Sequence, residues 1–152
     1  MIAAGDVGTR HPVLLSPMDL VAGGLLVSAV SAAGGLGLIG GGYGDAEWLT
    51  REFEATGVGR IGVGFITWSM AKHPALFDMA LERRPAAVTL SFGDPAPFVE
   101  RIKRAGVTLI CFCVGYAAIS RRVVNAGGFY TYISCGLGRP PAVGGGLVAV
   151  VA

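Results

Sequence analysis

The stretch from His11 to Gly42, HPVLLSPMDLVAGGLLVSAVSAAGGLGLIGGG, constrains this chain more than any other part. Pro12 to Leu15 is apolar and short, which suits a buried strand. Ser16-Pro17-Met18 then reads as a turn. Leu20 to Ala33 is a run of small and aliphatic residues of helical length, and Leu36 to Gly40 is a second apolar strand. Strand, helix and strand in that order predict a βαβ unit, which needs parallel pairing and a helix lying on the sheet. The Gly-rich strand ends are expected to leave backbone accessible to a flat or phosphorylated ligand.

The same stretch has to be weighed as a membrane span. Leu20 to Gly44 carries no charge and is long enough to cross a bilayer. Gly and Ala crowd it, however, and it breaks into helix, turn and strand. A buried βαβ segment is the expectation. The chain is 53% hydrophobic and 14% charged with 25 Gly, which opposes disorder and suits parallel strands covered on both faces. A formal net charge of +2, without a basic cluster interleaved with aromatics, gives no argument for nucleic acid or an anionic membrane. At 152 residues, one domain is expected.

The alternation continues. Asp45 is placed to cap a helix running to about Ala55, with Glu47 in its first turn. Arg60 to Ile66 reads as a strand, and Lys72 to Glu82 as a helix with Leu76, Phe77, Met79 and Ala80 on its apolar side. Ala86 to Ser91 is a strand, Ala96 to Ala105 a short helix, and Val107 to Cys113 a fifth strand. A repeat of ~20 to 25 residues predicts an α/β fold, a parallel sheet or barrel. Gly35 to Gly40 and Gly57 to Gly62 both fit G-x-G-x-x-G, but a dinucleotide loop must follow a strand and open a helix, and neither does.

Composition shifts beyond Glu100, after which there is no Asp or Glu, while Cys111, Cys113 and Cys135 all come later. Ile119 to Val124 reads as a helix and Phe129 to Ser134 as a sixth strand. CGLGRPPAVGGGLVAVVA then follows. Surface helices of a soluble domain mix both signs of charge. The expectation is therefore a divergent, truncated or frame-altered segment over 112–152, in preference to a natural ending that packs against something. Three cysteines with no secretory signal point to a cytoplasmic, reducing setting. Cys111 and Cys113 would share a strand face, but a tetrahedral metal site needs further ligands that the segment lacks.

Five segments together carry a resemblance: PVLLSPM at 12–18, AVSAAGGLGLIGGGY at 29–43, IGVGFITW at 61–68, VTLSFGDP at 88–95 and AGVTLIC at 105–111. In order, spacing and residue type they resemble the nitronate monooxygenase, or 2-nitropropane dioxygenase-like, family of FMN-dependent TIM barrels. The resemblance implies that residues 1–111 are the N-terminal part of such a barrel, a partial TIM barrel with parallel strands alternating with helices. It implies FMN as cofactor, a nitronate or nitroalkane as substrate, and dioxygen as oxidant. By resemblance, Pro17 and Met18 contact the flavin through backbone atoms. Gly64 stands where many relatives carry a flavin-bonding Asn, and Ser91 to Gly93 line the substrate side.

Two alternatives stay open: a relative of the flavin-dependent enoyl-acyl-carrier-protein reductases, and a non-catalytic half-barrel that associates through its open sheet edges. The family's His-bearing loop has no counterpart here. His11 precedes the first strand and His73 begins a helix. No catalytic residue is assigned, and little turnover is expected of this chain alone. If a shared site exists, Pro17, Met18, Gly64 and Ser91 must gather at the C-terminal ends of the strands.

Overall fold

The computed structural model describes residues 8–111 and Arg121. The chain divides into two units, Met1–Phe112 and Cys113–Ala152. Within the first, helices and strands alternate as α1 (Gly24–Ala32), β1 (Gly37–Gly40), α2 (Ala46–Glu54), β2 (Ile61–Ile66), α3 (Thr67–Met70), α4 (Pro74–Glu82), β3 (Ala87–Ser91), α5 (Ala96–Arg104) and β4 (Thr108–Cys111). The four strands form one sheet in the order β1-β2-β3-β4, and every pairing is parallel. The α/β architecture expected from the alternation is the one observed. The expected Ile119–Val124 helix and Phe129–Ser134 strand, and the end of the Val107–Cys113 strand, lie outside the described residues.

Alternation along the strands separates two faces. Ile39, Val63, Phe65, Val88, Leu90 and Leu109 pack towards the helices, where Leu49, Phe53, Phe77, Phe98 and Ile102 complete the main core. Phe77 is fully buried, edge-on to Phe65 at 6.2 Å and to Phe98 at 5.3 Å between centroids, an arrangement that suits the ring quadrupoles. The opposite face carries Leu36, Leu38 and Ala87, with Ala86 and Ile110 packed against them.

Local chemistry explains the element ends. The Asp45 carboxylate accepts from the Trp48 N–H at 2.8 Å and caps α2 as expected. Pro74 occupies the first turn of α4, where a missing N–H costs nothing. Ion pairs between Arg101 and Asp78 and between Lys103 and Glu100 dress the outer helices.

Three expectations are corrected. Residues 12–15 do not form a strand. They make one isolated parallel bridge, Leu14 to Leu36, with the Leu15 N–H donating to Leu36 and the Leu36 N–H donating to Val13, both at 2.9 Å. Pro12 has no N–H to extend this ladder, and Val13 and Leu14 stay 49% and 43% exposed. The described sheet thus has four strands where five were expected. The first helix starts at Gly24 rather than Leu20, because Leu20 adopts φ 56° and the Met18 carbonyl accepts the Val21 and Ala22 N–H groups in a turn. The Glu52 carboxylate accepts from the Gly24 N–H at 2.9 Å, binding the helix start to α2. Finally, α3 was not foreseen. Its single turn runs directly on from β2, in a segment whose polar and aromatic residues give no apolar period.

The charge-free run from Leu20 to Gly44 is divided among a turn, α1 and β1, as the βαβ reading required. Among the described residues, no helix is long and apolar enough to cross a membrane. The first G-x-G-x-x-G run enters β1 from the end of α1, and the second bridges α2 to β2, so neither opens a helix.

Candidate functional site

The site builds outward from the segment 16–19, which lies across the C-terminal ends of β1 and β2. Gly40 pairs with Gly64 in register. A Cβ on Gly40 would collide with the Met18 carbonyl, and one on Gly64 would collide with the Pro17 ring. Neither position has room for a side chain. The glycine-rich strand ends therefore do not leave bare backbone for a ligand. They seat the 16–19 segment against the sheet, and that segment presents the outer surface. Gly42 is filled in the same way by the Asp19 carboxylate.

Hydrogen bonds lock this layer. The Gly41 N–H donates to the Gly64 carbonyl at 2.7 Å, and the Met18 N–H donates to Ser16 at 2.9 Å. Ser91 pairs with Ile66 at the same end, and its hydroxyl donates to the Phe65 carbonyl at 3.3 Å. Pro17, Met18, Gly64 and Ser91 are thus brought together at one end of the sheet, on the side of the strand C-termini. The Met18 amide is already committed within its own turn. Gly64 offers no side chain to a ligand, and Pro17 covers the place where one would project.

Next to this layer, Thr67 and Thr89 are 2% and 5% exposed, and among the described residues their hydroxyls have no hydrogen-bond partner. Thr89 pairs with Gly64 across β2 and β3. A buried hydroxyl without a partner is uncommon in a folded protein and marks where a water or a polar ligand is expected.

Part of the rim was missed in the sequence: Phe92 lies in the Ser91–Gly93 segment expected on the substrate side, whereas Tyr43 and Trp68 were not singled out. Tyr43, Trp68 and Phe92 each follow a strand C-terminus and each is exposed. The Tyr43 and Trp68 rings are 6.0 Å apart, and the Lys72 ammonium lies 5.1 Å from the Trp68 ring centre. Their position just after a strand end was the available signal, obscured because each lies in a glycine-rich or mixed loop. His73 joins this end too. It precedes α4 without capping it through its side chain, and its ring packs against Gly44, exposed to solvent. His11 lies instead at the opposite end of its segment, beside Gly34. Among the described residues, no group of His, Cys, Asp and Glu is arranged to hold a metal.

No family model and no curated protein matches this chain. Among solved structures, FabK from Thermotoga maritima is similar at 26% identity, with a TM-score of 0.62, covering 71% of this chain and 35% of that one. A point mutant of the same protein gives a TM-score of 0.63 at 26% identity, over 71% of this chain and 37% of that chain. This chain spans little more than a third of the length of those proteins. FabK is a TIM barrel, and four consecutive parallel strands with intervening helices are part of such a barrel. The fold expected from the resemblance is thereby supported on independent coordinates.

Proposed function

We propose that the described residues form the first part of a flavin-dependent oxidoreductase barrel. The observation that carries this reading is the convergence of Pro17, Met18, Gly64 and Ser91 at the strand C-termini of a FabK-like sheet. That end is where TIM barrels place their chemistry. FabK is an enoyl-acyl-carrier-protein reductase of the 2-nitropropane dioxygenase-like flavoenzymes. Similarity to it favours enoyl reduction over nitronate oxidation, reversing the order suggested by the resemblance alone.

The fit to FMN is partial. The seated 16–19 segment, the orphaned Thr67 and Thr89 hydroxyls and the exposed aromatic rim suit a flat, heteroatom-rich ring. A phosphate site of this fold follows strands beyond the four described here. When bound, FMN supplies the two-electron redox chemistry. Pro17 and Met18 would floor the ring, Ser91 would stand at its substrate side, and Tyr43 and Trp68 would shield it from water. No group in this set is placed to hold or move a proton, and none is assigned that role. Self-association through the outer strands belongs to the half-barrel alternative and is checked by light scattering.

The experiment is direct. The full chain is purified, supplied with FMN, and examined for a retained flavin spectrum. NADH-dependent reduction of a short enoyl thioester is then compared with oxygen uptake on a nitronate. Flavin retention with enoyl reduction supports the reading. Retention with nitronate oxidation only returns the alternative to first place. A colourless, associating protein overturns both and leaves the half-barrel reading.

A further inference from the structure

A different feature occupies the other end of the sheet. The loops that lead into β2, β3 and β4 enclose a cleft of about 620 Å³, lined by Phe53, Arg60, Arg83, Arg84 and Gly106 among others. Sites for small molecules fall within roughly 300–1,000 Å³. Three arginines line this cleft and no acidic residue does. Among the described residues, none of the three forms an ion pair. Arg83 is held over the buried Phe53 ring, with its guanidinium carbon 6.0 Å from the ring centre.

The backbone supplies an independent observation. Arg84 has φ 49° and directly follows the last residue of the α4 cap, with its N–H donating to Leu81 at 2.9 Å. At the equivalent place, α1 and α5 use Gly34 at φ 100° and Gly106 at φ 69°. Glycine is the ordinary residue for this left-handed position, because a Cβ is disfavoured there. Two of the helices obey that rule, and α4 keeps an arginine that lines the cleft. An arginine kept at this helix end, where a glycine would be unstrained, and lining the cleft, is the second observation behind the proposal.

We propose that this cleft binds a small, soluble, phosphate-bearing anion, with Arg83 and Arg84 as its principal ligands and Arg60 at its edge. Guanidinium forks match phosphate oxygens in pairs, and three of them around one opening favour a group of at least two negative charges. The site is independent of the flavin reading, since it lies at the opposite end of the strands.

The test uses calorimetric titration of the full chain with pyrophosphate at low ionic strength. Binding is expected, and Arg83→Gln and Arg84→Gly should each weaken it by at least about tenfold, the loss of one charge-assisted pair. Arg51→Gln, which removes a positive charge on α2 away from the cleft, should leave the affinity within about twofold. Thermal melts accompany the titrations: Arg84→Gly should melt no lower than the parent, because it restores the preferred residue at a left-handed position. Absence of pyrophosphate binding overturns the proposal. So does equal weakening by Arg51→Gln, which would indicate diffuse charge, and so does a lowered melt for Arg84→Gly, which would give that residue a structural role. Flotation with phosphatidylglycerol vesicles separates the sources of phosphate: association with vesicles but not with pyrophosphate overturns the proposal in favour of a lipid surface.

Discussion

Gly64→Ala is the sharpest probe of how the candidate site is built. The added methyl would enter the space of the Pro17 ring, with the ring's Cγ and Cβ as the colliding atoms. Gly64 lies in the middle of a ladder between β1 and β3, so its backbone cannot retreat without breaking pairings on both sides. Pro17 must therefore lift away. Overpacking of this kind costs about 1–3 kcal/mol. Replacing Gly by Ala also removes freedom from the unfolded chain, returning roughly 0.4–1 kcal/mol. The expected net loss is about 1–2 kcal/mol, which corresponds to a Tm lower by roughly 4–16 °C for a domain of about 100 residues. Urea unfolding followed by circular dichroism measures it. The informative comparison is the double variant Pro17→Gly/Gly64→Ala. Pro17→Gly alone destabilises through chain entropy, but it also removes the colliding atoms. The cycle should then show a favourable coupling of about 1 kcal/mol or more. Additive single effects, or a Gly64→Ala protein as stable as the parent, would refute the view that the glycines seat the 16–19 segment.

Further outcomes follow from the same geometry. Asp45→Ala should cost about 1 kcal/mol by uncapping α2, read from thermal melts. Phe77→Ala should cost about 3–5 kcal/mol, because it opens a cavity between Phe65 and Phe98 at the centre of the core; partial unfolding at ambient temperature would be visible by circular dichroism. If FMN binds at the strand C-termini, it should quench fluorescence from Trp68, which is 48% exposed at that end of the sheet. Comparison with Trp68→Phe isolates its share from that of Trp48, and quenching undiminished in that variant would place the flavin elsewhere. Turnover by this chain alone should be absent or slight in both enzyme assays, since losing one positioned acid–base group typically costs about 10²–10⁴-fold. Rates matching those of a FabK protein would show that another residue completes the site.

Residues with strong local chemistry were legible in the sequence. Asp45 announced a cap, and β-rich runs such as IGVGFI announced strands. The order of elements and the gathering of Pro17, Met18, Gly64 and Ser91 followed from these and from the resemblance. What was not legible depended on tertiary contact. Pro12 to Leu15 has strand composition, but its pairing stops after one bridge. Leu20 has helical propensity, yet the Met18 carbonyl draws the following amides into a turn. The role of the strand-end glycines was misread for the same reason. A glycine in a sequence shows that space is required, and only the fold shows that Pro17 and Met18 fill it. Trp68 and Tyr43 were overlooked because exposed aromatics carry no periodic signal.

The consecutive strand order has a consequence for assembly of the fold. Each strand in the described sheet pairs with the next one along the chain, so no pairing waits for a distant segment. Closure entropy is paid in short, similar steps, and each new helix and strand adds to an edge already formed. On the ribosome, β1 to β4 can be laid down in the order of synthesis, each new strand adding to the most recent edge. Amide exchange should record the same logic: protection strongest in β2 and β3, which have neighbours on both sides, and weaker at β1.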